Sequence, residues 1–375
     1  MKPHFQILDG LRGVAALMVV IFHIFEAHAT SHFDQIINHG YLAVDFFFLL
    51  SGFVIGYAYD DRWGKMTIGD FFKRRLIRLQ PMVVLGSVIG AIFYYFQESD
   101  LWPIISQVSV GHMLLIMVLG IFMIPGTPSM DIRGWQETYP LNGPAWSLFF
   151  EYIANILYAI GIRKLPKAAL ALLVLLAGGA LVHFAVTNSS GDVVGGWALN
   201  GEQLRVGFTR LTYPFFAGLL LYRTAKLSHV KNAFFWCSLL VVIFLAFPRI
   251  GGPDTLWKNG LYDSLTIILV FPLIVYLGAS GEVSGKAARI CKFFGDISYP
   301  LYITHYPIIY TYTAWVHDHH VPFIQQVLVG LMVIVSSIGL AYLYLKLYDE
   351  PVREWLKNKF LINAFDRRKK LVERI

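Results

Sequence analysis

Long apolar stretches recur along almost the whole chain. A helix needs roughly 17 to 25 apolar residues to cross a bilayer. Eleven stretches approach or reach that length, near 9–27, 40–58, 81–97, 107–125, 144–162, 167–187, 205–223, 233–248, 259–279, 292–315 and 323–347. This pattern predicts an all-α fold, a polytopic transmembrane helical bundle over residues 1–352, followed by a short basic cytoplasmic tail over 353–375.

The positions of Lys and Arg predict the orientation of these stretches. Basic residues are concentrated in the linkers 59–80, 163–167, 223–231 and 286–292 and in the tail. Because Lys and Arg are retained on the cytoplasmic side, we expect these linkers and both chain termini in the cytoplasm. Three apolar stretches lie between the basic linkers 59–80 and 163–167, but two cytoplasmic linkers must be separated by an even number of crossings. The stretch 107–125 is therefore expected not to cross the membrane fully. The prediction is therefore about ten crossings plus one re-entrant or interfacial segment.

Composition supports a membrane protein and argues against two other classes. Of the 375 residues, 56% are apolar and 15% are charged, whereas a soluble domain carries about 25% charged residues. The net charge of +7 does not indicate nucleic-acid binding, because the basic residues lie in short loops and the tail. Cys237 and Cys291 have neither disulfide nor metal-ligand spacing. Adjacent histidines in the loop 317–320 cannot easily turn onto one ion, so no metal site is expected.

One arginine and one histidine, Arg12 and His23, interrupt the first apolar stretch. Eleven residues separate them, which at 100° per residue returns to within about 20° of the same helix face, about 16 Å apart along the axis. Ionisable groups at membrane depth are costly and are tolerated mainly where they face the interior of a bundle or a water-filled cavity. We therefore expect this stripe to line a polar cavity.

Two carboxylates fall at a depth similar to that of His23 in the predicted topology. His23, Asp45 and Glu151 each lie roughly 6 to 10 Å below the outer surface, and Arg210, one turn into its own helix, can join them. Histidine with a carboxylate is the usual apparatus for deprotonating a hydroxyl. A plainer interpretation stays open for His23 and Asp45, as core groups whose hydrogen bonds are simply satisfied by their neighbours.

Two further motifs carry candidate binding residues. The segment RRLIRLQP contains Arg74, Arg75 and Arg78, and clustered arginines bind phosphate well. Ordinary positive-inside anchoring is the alternative for this cluster. His305, in ISYPLYITHYP, lies mid-membrane beside two prolines that break a helix, so it is expected to face the cavity.

These motifs together resemble the acyltransferase-3 family of membrane acyltransferases. The matching segments, in order, are DGLRGVAALMVVIFH, YLAVDFFFLLSGFVI, RRLIRLQP, NGPAWSLFFE, ISYPLYITHYP and YDEP. The most specific pieces are the Arg-x10-His pair at Arg12 and His23 and the WSL-x-x-E segment from Trp146 to Glu151. Two features depart from common members: 349–351 reads Asp-Glu-Pro instead of Glu-Arg-Pro, and no periplasmic esterase-like domain is present. The acceptor is therefore left open.

The resemblance implies a function and a location. The family transfers acetyl or other short acyl groups from an acyl-CoA, mostly to hydroxyls of carbohydrates and cell-envelope glycans. It implies acyl-CoA as co-substrate, no resident cofactor, and a multi-pass protein of the inner (plasma) membrane. The expected catalytic residues are His23, Glu151, Asp45 and Arg12. The expected substrate-binding residues are Arg74, Arg75, Arg78, Arg210, His305 and Trp146.

The individual roles follow from this set. His23 is expected to be the general base, with Glu151 first and Asp45 second as the carboxylate that orients it, and Arg210 as a stabiliser of the oxyanion. The alternative function is a transporter of a small solute or protons, which would also explain intramembrane charges. Inverted helical repeats would favour a transporter, and none is visible in the sequence.

Overall fold

Regular structure is helical throughout the residues that the computed structural model describes, 4–319 and 321–362. The all-α prediction is confirmed for this part of the chain. Residue 320 and most of the predicted basic tail, including 367–370, lie outside the described residues. The α-helices are α1 (Gln6–Glu26), α2 (Ala43–Tyr59), α3 (Ile68–Tyr95), α4 (Val110–Ile121), α5 (Ala145–Ile160), α6 (Lys167–Thr187), α7 (Gly201–Thr224), α8 (Ala233–Ala246), α9 (Trp257–Leu265), α10 (Phe271–Ala279), α11 (Gly285–Thr304), α12 (Tyr306–Asp318), α13 (Phe323–Tyr344) and α14 (Glu350–Lys357).

Short helical turns connect several of these elements. Two π-helical turns, Thr266–Val270 and Leu345–Asp349, join α9 to α10 and α13 to α14 without a break, and a third, Asn358–Ile362, follows α14. The 3₁₀ turns are Gly40–Leu42, Pro103–Gln107, Pro128–Met130, Ile162–Lys164 and Pro253–Thr255.

Six helical stretches in the described part of the chain are long and apolar enough to cross a bilayer. They are Gln6–Glu26, Gly40–Tyr59, Ile68–Tyr95, Lys167–Thr187, Trp257–Ala279 and Phe323–Leu361. The predicted count of about ten crossings stays a prediction. The 12 residues of α4 extend about 18 Å, short of the roughly 30 Å of a hydrocarbon core. This length fits the predicted partial crossing of 107–125.

The helix α3 begins well before the predicted start of its apolar stretch near residue 81. Thr67 and Asp70 form a reciprocal capping box, in which each side chain accepts a hydrogen bond from the backbone N–H of the other. Such a box fixes a helix N-terminus, and Pro81 is accommodated inside the helix. The arginines of RRLIRLQP therefore lie on the helix itself and not in a linker.

The predicted stretch 292–315 is two helices, α11 and α12, that meet at His305. Pro307 has no backbone N–H to donate to the carbonyl of Ile303 four residues earlier. The side chain of Asn142 donates to that carbonyl instead, at 2.8 Å. The ring Nδ1–H of His305 donates to the carbonyls of Leu301 and Tyr302. The break is therefore stabilised by side chains that replace the missing backbone bonds.

Glycines allow the closest helix contacts in the bundle. A Cβ atom on Gly13 of α1 would overlap the backbone of Phe294 in α11, and one on Gly52 of α2 would overlap the carbonyl oxygen of Phe215 in α7. Small residues at such positions let helix backbones approach in membranes. The helix α1 also contacts α2, α8, α10 and α12, so it lies in the interior and its polar stripe faces the protein.

We expect Gly52→Ala to lower the thermal unfolding temperature of the purified protein in detergent. Overpacking costs about 1 to 3 kcal/mol and occasionally more, because the new methyl group meets fixed backbone at this site. Gly179→Ala is the matched control, since nothing lies within 4 Å of a Cβ there and alanine favours a helix more than glycine does. Equal unfolding temperatures for the two variants would contradict this account of the α2–α7 contact.

The predicted topology is testable at the linker before α5. Ser129 is exposed, and its linker is expected to face outward. In a background without reactive cysteines, Ser129→Cys should react with a membrane-impermeant thiol reagent added from the outside. Lys65→Cys, also exposed and expected in the cytoplasm, should react only after the membrane is opened. Reaction of Ser129→Cys solely from the cytoplasmic side would overturn the topology around 98–143.

Candidate active site

Two cavities, each of about 680 Å³, lie in the bundle. We call the one lined by Arg12 and Arg78 the inner cavity and the one lined by His23 the outer cavity. Val44 and Tyr302 line both, so the two cavities meet at these side chains. Arg12 and His23 share one face of α1, as predicted, but they open into different cavities.

His23 and Glu26 form a dyad in the last turn of α1. The Nδ1 atom of His23 lies 2.6 Å from a carboxylate oxygen of Glu26. The His23 ring stacks on His305 at 5.7 Å and meets the edge of Tyr306 at 4.8 Å between ring centroids. With Nδ1–H donated to Glu26, the Nε2 atom carries the lone pair and can accept a proton. The dyad therefore has the arrangement of a general base held by a carboxylate.

Glu26, and not Glu151, is the carboxylate that contacts His23 among the described residues. Glu151 instead accepts from Arg75 at 2.7 Å and from Ser51 at 2.9 Å, and it lines the inner cavity. The predicted depth of Glu151 assumed that its helix starts at the membrane surface. The start of α5 is in fact buried, with Pro144 inside the protein, and Glu151 opens into the inner cavity and not beside His23. The spacing of Glu26, three residues after His23 on the same helix face, was the missed signal.

Asp45 and Arg210 form a buried ion pair with each other. Arg210 donates to both oxygens of Asp45 at 2.7 to 3.3 Å and to the backbone carbonyl of Tyr41 at 2.7 Å. Both side chains are almost completely inaccessible. The pair joins α2 to α7, and it neutralises the charge that was expected to stabilise an oxyanion. Among the described residues Asp45 bonds to Arg210 and not to His23, so the geometry does not support its predicted orienting role.

The inner cavity is rich in cationic side chains. Arg12 donates to Ser298 at 2.8 Å and pairs with Asp9 at 2.8 Å. Arg78 lines the cavity and makes neither an ion pair nor a hydrogen bond within the described residues. Arg74, by contrast, is exposed on the outside of α3 and lies outside the cavity lining. Its predicted role in binding is therefore not supported by its position.

Two further cations of the inner cavity were not identified from the sequence. Lys292 pairs with Asp296 at 2.7 Å, and Arg353 pairs with Asp349 at 2.7 Å. Both cations line the cavity. Arg353 was assigned to a basic tail, but it lies on α14 at the cavity mouth. The sequence predicted that the bundle ends near residue 352. The local pattern of apolar residues does not reveal that α13 continues into α14.

Glu137 is a second carboxyl group in the outer cavity that the sequence analysis missed. It lies in the loop before α5, it is 7% exposed, and it accepts a hydrogen bond from the Tyr310 hydroxyl at 2.6 Å. Burial raises the pKa of Glu137 to about 7, against the opposing effect of nearby Arg133. A loop residue of this kind has no periodicity that would reveal it.

The last two predicted binding residues have different environments. Trp146 lines the outer cavity, with the Arg210 guanidinium 5.3 Å from its ring. His305 is completely buried and is absent from the lining of both cavities. Its Nε2 atom has no hydrogen-bond partner in the described part of the chain. The ring therefore supports His23 by stacking, and its position outside both cavity linings does not favour the predicted role in binding substrate.

Known proteins with similar sequences include one from Rhizobium radiobacter and one from Staphylococcus aureus. Protein 2 in picA locus of Rhizobium radiobacter is 36% identical over 165 residues, which cover 41% of this chain and 81% of that protein. O-acetyltransferase OatA of Staphylococcus aureus is 25% identical over 382 residues, which cover 97% of this chain and 59% of that protein. The chain thus spans less than two thirds of the length of OatA. No solved structure matches it.

A family model described as an acyltransferase domain matches residues 5–346. The match includes α1 with the His23–Glu26 dyad, the arginines of α3, and the α11–α12 break. The resemblance read from the sequence motifs is confirmed, and the chain belongs to the acyltransferase-3 family.

Proposed function

We propose that the protein is a membrane O-acyltransferase. It moves a short acyl group, acetyl in the first place, from a cytoplasmic acyl-CoA in the inner cavity to a hydroxyl of a carbohydrate or cell-envelope glycan in the outer cavity. The observation that carries this proposal is the pairing of two adjoining cavities, one lined by arginines and the other by a histidine–carboxylate dyad. Family membership and the similarity to O-acetyltransferase OatA support acyl transfer over solute transport.

The inner cavity suits the donor. Acyl-CoA carries phosphates, which need cationic partners wherever water is scarce, and guanidinium groups bind phosphate in a planar, two-pronged geometry. Arg78 is the cation best placed to take a phosphate, because no carboxylate in the described residues already occupies it. Arg12 lies about 16 Å from His23 along the axis of α1. The extended pantetheine arm covers this distance and brings the thioester towards the junction of the two cavities.

The outer cavity suits a hydroxylated acceptor. Its lining combines flat aromatic faces with hydrogen-bonding edges, from Trp135, Trp146, Trp197, Tyr306 and Tyr310. Such amphipathic side chains provide apolar contact and polar contact together. The proposed placement of both chain termini in the cytoplasm of a plasma-membrane protein directs this cavity outward, towards envelope glycans.

The reaction is a direct transfer assisted by the dyad. The Nε2 atom of His23 takes the proton of the acceptor hydroxyl while the hydroxyl oxygen forms a bond to the thioester carbonyl carbon. Collapse of the tetrahedral intermediate breaks the carbon–sulfur bond, and the leaving CoA thiolate takes the proton back from the imidazolium. Glu26 holds the Nδ1–H throughout and stabilises the positively charged ring. The products are an ester and free CoA.

We expect His23→Ala to lower kcat for acetyl transfer about 10² to 10⁴-fold, the usual contribution of general-base assistance. The measurement is transfer of labelled acetyl groups from acetyl-CoA to envelope glycans in membranes that carry the protein. Binding of acetyl-CoA should persist, since His23 lies outside the inner cavity. His28→Ala, five residues later in the turn after α1 and outside the lining of the outer cavity, is the control and should retain transfer. Near-wild-type transfer by His23→Ala would refute the mechanism.

Two carboxylate variants distinguish the kinetic roles of the two cavities. Glu26→Gln should lower kcat, because an amide cannot stabilise the imidazolium in the same way. Glu151→Gln should act mainly on the apparent KM for acetyl-CoA, because Glu151 orients Arg75 in the inner cavity. The check is a steady-state comparison of the two variants. If Glu151→Gln lowered kcat and Glu26→Gln had no effect, the assignment of the dyad would be wrong.

We expect Arg78→Ala to raise the apparent KM for acetyl-CoA about 10 to 100-fold, the loss of one hydrogen bond to a charged group, with a smaller effect on kcat. This is the pattern of lost uniform binding. Arg74→Ala removes the same charge from the same helix at an exposed position and is the matched control, expected to change KM less than about twofold. Equal effects of the two changes would assign these arginines to membrane orientation instead.

A further inference from the structure

Tyr302 occupies the junction between the inner and outer cavities. It lies on α11, and Val44 lies opposite on α2. Among the described lining residues, these two alone are shared by both cavities. Each is nearly buried, with 7% of Tyr302 and 8% of Val44 exposed. Anything that passes from one cavity to the other has to pass these two side chains.

Contacts from two other helices hold the Tyr302 side chain in this position. Its hydroxyl lies 2.8 Å from Oγ of Ser147 on α5. Ser147 donates its own hydrogen to the carbonyl of Pro144 at 3.0 Å, so the Tyr302 hydroxyl is the donor to Ser147. Its ring also meets Phe47 of α2 edge-on, at 5.2 Å between centroids. One hydrogen bond and two ring contacts, with Phe47 and with His305 at 6.1 Å between centroids, hold the side chain, so a rotation of the ring has to release these three contacts.

Tyr302 lies between two prolines, Pro300 and Pro307, and close to the end of α11. Pro300 lies inside α11 two residues before it, and the helix ends at His305 three residues after it. Prolines remove backbone hydrogen bonds and allow helices to bend. The carbonyl of Tyr302 is bonded by the His305 ring at 2.9 Å, and the same ring stacks on His23. His305 therefore contacts both the junction residue Tyr302 and the dyad residue His23.

We propose that Tyr302, with Val44 opposite, is the movable divider between the two cavities. In the resting protein its ring closes the junction. When the acyl donor is in place, the ring moves aside, and the acyl group then fills the gap and meets His23. Until then the divider separates the thioester from any water molecule that the His23–Glu26 dyad could activate, so the competing hydrolysis is suppressed. The closed junction is argued from geometry alone, whereas the identity of what passes rests on the proposed function.

A labelling experiment tests the divider without any substrate. Val54→Cys places a thiol in the inner cavity, and the native Cys237 and Cys291 are buried. A small, charged, membrane-impermeant methanethiosulfonate reagent is added from the outer side. In the Tyr302→Ala background we expect labelling at least about tenfold faster than in wild-type background, because truncation of a buried ring leaves an open space. Tyr302→Phe keeps the ring and should label as wild type.

Controls keep the experiment decisive if Tyr302→Ala is poorly folded. Labelling of the same thiol from the inner side, at the wild-type rate, shows that each variant retains the inner cavity. Val44→Ala shortens the side chain on the opposite wall of the junction and so gives an independent, smaller opening, with labelling expected between that of wild type and that of Tyr302→Ala. Equal labelling from the outer side in all backgrounds would overturn the divider.

A second measurement connects the divider to acyl transfer. Without acceptor, purified Tyr302→Ala should hydrolyse acetyl-CoA about tenfold faster than wild type, since water then reaches the thioester. If outer-side labelling rises but neither wild type nor variant binds acetyl-CoA, the divider stands and the proposed function fails. If acetyl-CoA binds normally but labelling does not rise, the divider fails and the proposed function stands.

Discussion

The cost of holding charge inside an apolar bundle governs the arrangement of this protein. An unpaired charge in a low-dielectric interior is expensive, and breaking one partner from a buried pair leaves that expense uncompensated. Asp45 and Arg210 satisfy the constraint by bonding to each other between α2 and α7. Glu151 satisfies it through Arg75 on α3. Each pair also ties two helices that are distant in sequence, so charge compensation and helix register are set by the same contacts.

Arg78 and the His23–Glu26 dyad are exceptions to this pairing of buried charges, and both lie beside a cavity. Arg78 has no carboxylate partner among the described residues, and Glu26 is partly open to the outer cavity. A group with spare charge or a spare lone pair can remain at such a place because water, or a bound ligand, completes its bonding. Arg78 and the dyad therefore keep bonding capacity for a ligand at the cavity surface.

The sequence predicted what depends on local periodicity. The stripe that joins Arg12 and His23 follows from the 3.6-residue repeat, and the helical class follows from the apolar stretches. The placement of Glu151 depended on depth in the membrane, and Glu151 contacts Arg75 and Ser51 instead of His23. Glu151 was placed beside His23 because its helix was assumed to begin at the membrane surface, and no local signal shows that the preceding loop is buried. His305 was recognised as unusual from its flanking prolines, yet its bonding to nearby carbonyls and its stacking on His23 depend on how α11 folds onto α1.

The position of Arg12 and His23 on one uninterrupted helix has a consequence for evolution by insertion and deletion. Their separation is set by helical rise and twist, and not by the packing of intervening side chains. Substitutions between them change the fit of α1 against its neighbours but leave the spacing intact. One inserted residue would turn one end relative to the other by about 100° and lengthen the interval by about 1.5 Å. That change would aim His23 away from the outer cavity, so the number of residues in this interval is constrained more tightly than their identity.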